Sequence, residues 1–287
     1  MRITLKQLNL FISVAKWENI TKGSEAIFLS QPAATLALKE LEAQLGKPLF
    51  DRVGKKLVLN KNGLHLFPKA VELIERTSQI EHLFDAQGTL SGTLNIGTSS
   101  TIGNYVMPKL IAQFTEKFPQ VKIIQSVGNT EDIIEELEKF KLDIGFIEGH
   151  YHADNLEGHN WKTDELIIFS SPSHPLAQKS NLTKKDLQEA AWILREKGSG
   201  TREILENHYR PDNVILEIGS TQAIKKIVME NIGISCASRY ALSTELEKKE
   251  LVELKVKNLQ LNRHFIQLMH KDKYSTDLIN AFLNDLV

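Results

Sequence analysis

The chain has 287 residues, 41% hydrophobic and 25% charged, with a single cysteine. At roughly 150 residues per domain this exceeds one ordinary core and predicts two or three folding units, and the balanced composition excludes a disordered, collagen-like or disulfide-stapled chain. No run approaches the ~18 apolar residues of a membrane span, and Lys6 and Gln7 interrupt the start where a secretory leader is apolar, so a cytoplasmic protein with no membrane partner is expected.

The net charge of −1 conceals an asymmetry, because residues 1–65 hold ten Lys or Arg against five Asp or Glu, leaving +5 there and −6 in the remainder. The basic end is where a polyanion would bind.

Leu5, Leu8, Ile12 and Ala15 recur at helical spacing and predict a first amphipathic helix, with Asn19 and Thr21 ending it and capping a second over Lys22 to Phe28. Ser30 is placed to cap a third helix that carries Pro32 in its first turn, runs to Leu45 and stops at Gly46. On its wheel Ala34, Leu38, Leu41 and Leu45 form a core face, and Pro32, Thr35, Leu36 and Lys39 an exposed one. An exposed hydroxyl, cation and branched aliphatic suit a DNA major groove, where they reach base edges, phosphates and thymine methyls. Taken alone, such a wheel is met more often in a plain surface helix.

Leu49 to Leu59 contains two short apolar runs around Gly54-Lys55 and reads as a hairpin, a wing beside the third helix. From Asn62 to about Phe84 two apolar stripes alternate, Leu64, Phe67, Val71 and Ile74 against Leu66, Ala70, Leu73 and Ile80. A helix apolar on two sides is expected to meet a second chain, with Pro68 kinking it or marking a change of partner. Gln87 to Gly92 is the clearest linker.

Beyond it the texture changes to strands at Thr93–Thr98, Val121–Val127 and Asp143–Ile147, alternating with helices at Tyr105–Phe118 and Thr130–Phe140. Units of that length predict a parallel α/β sheet with crossover helices. A second run of the same kind starts near Glu165 and continues through strands at Trp192–Leu194, Val214–Ile218 and Ile232–Cys236, with helices after Ser199 and Ser220. A strand from Arg263 to Met269 and a last helix, Thr276 to Leu286, are expected to return to the first lobe as part of a hinge.

Ligands in such sheets sit beyond the carboxyl ends of strands. There the first lobe places Ser99, Ser100 and Thr101 beside a helix start, Asn129 and Thr130 at the next, and Glu148 after the third strand. Helix starts attract anions, although each of these positions alone is more simply a cap. The second lobe offers Arg195 and the turn Ser199-Gly200-Thr201, a basic, hydroxyl-bearing wall for a small anion or carboxylate without nucleotide P-loop spacing. Glu148 opposes that reading, because an ionised carboxylate repels an anion unless Arg195 or a proton offsets it.

His150, His152 and His159 form a weak candidate for a divalent metal, and no metal or cofactor is expected. Cys236 lies in an apolar strand and is expected to pack; a redox-sensing role would require exposure and a lowered pKa. No nucleophile elbow, zinc-protease motif or dinucleotide fingerprint is present, so an enzyme is not expected. A cytoplasmic solute-binding protein would share the two-lobed half, and the first 88 residues argue against it.

The order Leu8 to Ala15, Leu29-Ser30-Gln31-Pro32-Ala33-Ala34-Thr35, Leu41-Glu42, Leu45-Gly46, Leu49-Phe50-Asp51-Arg52 and Asn60 to Gly63 resembles the LysR family of transcriptional regulators. Ser99 to Tyr105, Ile144 to Gly149 and Ile193 to Glu203 are similar to its YeiE and CysL-like branch, which includes regulators of sulfur assimilation and of carbon fixation. The resemblance implies an α/β protein with an N-terminal winged helix-turn-helix at 1–60, a linker and dimerisation helix at 61–88, and a two-lobed, periplasmic-binding-protein-like effector domain at 89–287. Lobe I would take about 89–162 and 268–287, and lobe II about 163–267. It implies DNA contacts from Lys22, Ser30, Gln31, Pro32, Thr35, Leu36, Lys39, Arg52, Lys55 and Lys56. In the cleft it implies effector contacts from Ser99 to Thr101, Asn129, Thr130, Arg195 and Ser199 to Thr201.

The partners it implies are double-stranded promoter DNA, a small-molecule effector, a second copy in a homodimer and homotetramer, and RNA polymerase. A sulfite- or sulfate-like oxyanion or a small carboxylate is the expected effector. Two departures stand out: Leu36 where many relatives carry arginine, which bears on base preference, and Gly23-Ser24 where many carry paired alanines. Glycine costs about 1 kcal/mol relative to alanine inside a helix, which predicts a weak second helix.

Overall fold

The computed structural model describes residues 2–82, 90–149 and 151–286, without the side chains of Gln79 and His82. It divides into two compact units, Met1–Leu90 with Asp272–Ala281 and Ser91–Lys271 with Phe282–Val287. Half of the expected linker, residues 87–89, and His150 lie outside the described residues.

In the first unit α1 (Leu5–Trp17) starts on a capping box, in which Thr4 accepts from the Gln7 amide and the Gln7 side chain accepts from the Thr4 amide. Its buried face is wider than the Leu5–Ala15 stripe predicted: Leu10, Phe11 and Val14 are fully buried, and Leu5 is exposed. The physical reason is that α1 is the central element of this unit, packed by α2 (Ile20–Glu25), α3 (Gln31–Leu45) and α4 (Lys61–His82). Phe11 meets Phe50 and Phe67 edge to face at 5.5 and 6.1 Å.

The Asn19 side chain caps α2 by accepting from the Lys22 amide at 3.1 Å. The helix begins earlier and ends sooner than predicted, at Glu25, and Phe28 turns with φ 59°. Gly23 is a requirement of packing: a Cβ there would lie 2.8 Å from the Val14 Cα, and the Ser13 hydroxyl donates to the Gly23 carbonyl at 2.8 Å. Close approach of α1 and α2 thus offsets the helix propensity lost at this position.

Pro32 lies in the first turn of α3, and Gly46 ends it with φ 70°. A hairpin follows, β1 (Phe50–Val53) and β2 (Lys56–Leu59), paired Phe50 to Leu59 through Val53 to Lys56, with Gly54 at φ 61° in its turn. The helix α4 continues through Pro68, burying Phe67, Ala70 and Val71 and exposing Leu64, Leu73 and Ile80.

The second unit is two-lobed. In lobe I β3 (Gly92–Ser99) lies between β4 (Val121–Gly128) and β5 (Ile144–Glu148), all parallel, joined by α5 (Met107–Lys117) and α6 (Thr130–Glu138). A π-helical turn, Ile102–Val106, precedes α5. The core beneath α6 contains Ile133, Leu137, Leu142, Ile147, Leu156 and Leu268.

Two long strands cross between the lobes. β6 (Leu156–Ser170) is antiparallel to β11 (Leu261–His270), and β11 also pairs with β5, so both strands belong to one seven-stranded sheet. The return strand predicted from Arg263 is therefore present, but its partner begins near Leu156 instead of Glu165.

Lobe II holds β7 (Trp192–Leu194) parallel to β8 (Val214–Glu217), α7 (Gly200–His208) and α8 (Thr221–Met229). Next come β9 (Ser235–Ser238), antiparallel to β6, then α9 (Arg239–Glu247) and β10 (Val252–Glu253). The last helix, α10, covers Asp277–Asp285. Cys236 is buried in β9, and burial pushes its thiol up to about 12, the reverse of a reactive thiolate.

Candidate functional site

At the basic end, α3 presents Pro32, Leu36 and Lys39 exposed and Thr35 half-buried, with Ala34, Leu38 and Leu41 beneath them. The core and exposed faces read from the wheel are those of the structure, except that Leu45 on the first and Thr35 on the second are half-buried. Ser30 holds the N-cap position without a side-chain capping bond, and Gln31 beside it is exposed. The Thr35 hydroxyl donates to the Gln31 carbonyl at 2.9 Å, which fixes its rotamer and keeps its lone pairs outward. Leu36 is 60% exposed, an apolar side chain in water on the face that carries Lys39.

Lys22, Arg52 and Lys55 are also exposed, and Lys39, Arg52 and Lys55 have no ion-pair partner among the described residues. Lys56 differs from them. Its ammonium sits 2.8 Å from the Glu18 carboxylate, and the Leu57 amide donates to the Glu18 carbonyl at 2.8 Å. These bonds fasten the hairpin to the end of α1, and they hold the Lys56 pKa above its ordinary value.

In the second unit several candidate residues gather at Glu148, two hydroxyls of lobe I on its buried carboxyl and Thr130 and Gly200 on its backbone carbonyl. Ser99 donates to its Oε2, and Thr101 to its Oε1 at 3.0 Å. The Thr130 hydroxyl donates to the Glu148 carbonyl at 2.9 Å. From lobe II, Gly200 passes so close that a Cβ on it would lie 2.1 Å from that carbonyl oxygen.

Arg263, on β11, ties the cluster together. Its Nε donates to Asp164 at 2.7 Å, one terminal nitrogen to Thr201 at 3.1 Å, and the other to Thr101 at 3.4 Å. The Arg263 and Asp164 side chains are 1% and 0% exposed, and Glu148 Oε1 lies 3.7 Å from the same guanidinium. Burial pushes the Glu148 carboxyl well up from its ordinary value, against the pull of Arg263, the Thr101 hydrogen bond and Arg195. With Glu148 neutral, Arg263 and Asp164 form a balanced pair; with Glu148 ionised, the pocket carries an uncompensated buried charge.

Arg195, beyond the end of β7, is also buried, and its Nε and one terminal nitrogen both donate to Glu196 at 2.7 Å. Its remaining bonds run to Thr221 in lobe II at 3.1 Å and across to Ser100 in lobe I at 3.4 Å. Ser100 also donates to the Gly128 carbonyl at 3.0 Å. Ser199 is buried at the N-cap of α7, where Gly198 turns with φ 82°.

Asn129 caps α6 in a reciprocal box with Asp132, and its Nδ2 faces the Gly198 turn of lobe II, 3.4 Å from where a Cβ on that glycine would lie. A cavity of about 630 Å³ opens along one side of the seam between the lobes, lined by Thr130, Glu131, Lys197, Ser199 and Arg202 among others. A second, of about 710 Å³, opens by the crossing strands at Tyr105, Asp164, Tyr240 and Arg263. His152 lines the first cavity, and His159 faces Glu157 at 3.6 Å on an exposed surface.

Arg263, Asp164, Thr221 and Glu196 were not among the residues expected from sequence. Arg263 could have been found from phase: Leu261, Arg263 and Phe265 share the buried side of an alternating strand, where a charge requires a partner. Asp164 stands in the same relation to Leu166 and Ile168 on β6.

Comparison with known proteins places these features in context. Residues 5–64 match the model of the bacterial regulatory helix-turn-helix protein, lysR family, and residues 87–287 match the LysR substrate binding domain. The chain is 41% identical to the HTH-type transcriptional regulator YeiE of Escherichia coli K12, over 99% of this chain and 97% of that protein. It is 34% identical to the HTH-type transcriptional regulator CysL of Bacillus subtilis, over 89% and 87%. The regulatory domain of CcmR from Synechocystis PCC6803, solved in complex with 2-PG, is 29% identical and superposes with a TM-score of 0.63, over 68% of this chain and 96% of that one.

Proposed function

Because this chain belongs to the LysR family of DNA-binding transcriptional regulators, we propose that its interlobe cluster receives a small oxyanion, sulfite- or sulfate-like, or a small carboxylate, and that occupancy changes how the protein holds promoter DNA. The observation that carries this reading is the Arg195 guanidinium at the lobe boundary, which donates to the Thr221 hydroxyl of lobe II and across to the Ser100 hydroxyl of lobe I. A guanidinium held in place at a lobe boundary suits a planar or tetrahedral oxyanion, which it grips with paired hydrogen bonds. Burial raises the Glu148 pKa, which lessens the repulsion that an ionised carboxyl would exert. That a related domain holds 2-PG supports the use of this kind of domain for small ligands. Titrating the full-length chain with sulfite, sulfate and small carboxylates by calorimetry should give one site per chain. Absence of heat with all of them would contradict the effector assignment.

The DNA half of the reading places α3 in the major groove and the β1–β2 hairpin along the flanking backbone, with Ser30, Gln31, Pro32, Thr35, Leu36 and Lys39 facing the duplex and Lys22, Arg52 and Lys55 on phosphates. Lys56 fits a supporting role better, given its bond to Glu18. Lys39→Ala is expected to weaken binding to all duplexes and to lower the slope of log affinity against log salt by about 1, as loss of one phosphate contact does. An unchanged slope with an altered preference at one base pair would make Lys39 a base reader.

The exposed Leu73 and Ile80, one heptad apart on α4, support a dimer through that helix. Exposed apolar edges at Ile124 and Val127 on β4, and at Val214 to Leu216 on β8, support side-by-side sensing units in a tetramer. In this reading the linker helix follows a winged domain ending near residue 60, the sensor begins near 89, and RNA polymerase meets the assembly at cytoplasmic promoters.

A further inference from the structure

We propose that Glu196 is a built-in competitor of the effector: its carboxylate occupies the Arg195 fork when no anion is bound and leaves it when one is. The proposal rests on the reading above that the cleft takes a small anion, and it concerns how that affinity is set.

The Arg195 side chain is 3% exposed, so its charge cannot stand without a counter-charge. Both nitrogens of one edge are taken by Glu196 at 2.7 Å, the same paired geometry that a bound oxyanion or carboxylate would make. The bonds from the other edge and across the seam, to Thr221 and Ser100, remain available to hold the guanidinium in place during an exchange.

The two buried arginines differ in how firmly their carboxylates are held. Asp164, on Arg263, is 0% exposed and also accepts from the Ser238 hydroxyl at 2.7 Å, so it has no route out. Glu196 is 26% exposed, and it faces Gly219, where a Cβ would come no nearer to it than 3.8 Å. Its partial exposure gives the carboxylate water to receive its charge when it leaves the fork. Exchange of one anion for another keeps the Arg195 guanidinium paired throughout, so the buried fork is not left without a counter-charge.

Calorimetric titration of the full-length chain with sodium sulfite and sodium sulfate, at constant ionic strength, tests this on wild type, Glu196→Gln and Glu196→Asp, with thermal melts to confirm folding. The Gln variant, which loses the charged chelate, is expected to bind at least about tenfold tighter. The Asp variant keeps the charge but is one methylene shorter, so a several-fold gain is expected from its weaker hold on the fork. A gain with Gln and none with Asp means a field effect alone and overturns the proposal. Weaker binding by Gln makes Glu196 an orienting residue for Arg195 and also overturns it. Binding by wild type with both variants unchanged removes the competitor and leaves the effector reading standing. Silence in all three proteins removes both. Binding seen only in the Gln variant supports the competitor in its strongest form.

Discussion

Replacement of Arg263 by alanine is expected to cost about 3–5 kcal/mol of stability, the range for removing one member of a buried ion pair. The side chain reaches both lobes and both crossing strands at once, through Thr101, Thr201 and Asp164. Its loss leaves the buried Asp164 carboxylate with the Ser238 hydroxyl as its one remaining side-chain donor among the described residues. Denaturant unfolding of the sensing unit should show the loss directly. The double variant Arg263→Ala with Asp164→Ala should then lose less than the two single costs combined, because the stranded charge is gone. A cost below about 1 kcal/mol for Arg263→Ala would place the pair among ordinary surface contacts.

Glu148→Gln works in the opposite sense. The folded-state pKa of Glu148 is raised, so its contribution is fully present below the ordinary carboxylate range and is lost as pH rises through the folded value. The Gln variant cannot ionise, and it should match wild type below the ordinary carboxylate range and gain on it as pH rises above that range.

Gly200→Ala is expected to have the largest effect on effector response. Alanine is a better helix former than glycine, so α7 itself loses nothing. The added methyl would instead meet Glu148 of lobe I at 2.1 Å from its carbonyl oxygen and 2.8 Å from its carbonyl carbon, both backbone atoms that cannot rotate away. The lobes must part to admit it. An overpacking penalty of about 1–3 kcal/mol on the closed arrangement corresponds to roughly 5- to 150-fold in affinity for a ligand that needs closure. Anion titration measures the loss, and a wild-type affinity would mean that the ligand binds without bringing Gly200 against Glu148.

What was legible in the sequence follows from where the specifying forces act. Helix α3 was readable in register and face because its determinants are local: Ser30 and Pro32 at one end, Gly46 at the other, and Ala34, Leu38 and Leu41 between them. The α/β repeats of lobe I were readable for the same reason, from apolar strands that end in capping residues such as Asn129. The first half of β6 was not, because its residues 157–163 are mostly polar and carry no alternation; that segment is a strand because β11 pairs with it along its length. Gly23 looked like a weak point in α2, since its reason lies across the helix interface at Val14.

The candidate site divides in the same way. Ser99, Thr101 and Glu148 were placed near one another by topology, from strand ends on one sheet edge of lobe I; Arg195 and Gly200, beyond a strand end of lobe II, were joined to them only by what the resemblance to the LysR family implied. The conflict between Glu148 and an anion was also visible in the sequence. Its resolution was not, because it depends on Arg263 and Asp164 arriving from the crossing strands and on burial raising the Glu148 pKa.

The central claim, that occupancy of the interlobe cluster changes how this regulator holds DNA, is tested most directly by end-to-end energy transfer. The full-length chain is bound to a duplex that it has selected from random sequence, and the transfer is measured as sulfite, sulfate or a small carboxylate is added. The account predicts a change in transfer, or in affinity for the duplex, that saturates with the calorimetric site and is lost in Gly200→Ala. No change in wild type at anion concentrations that fill the site would contradict it.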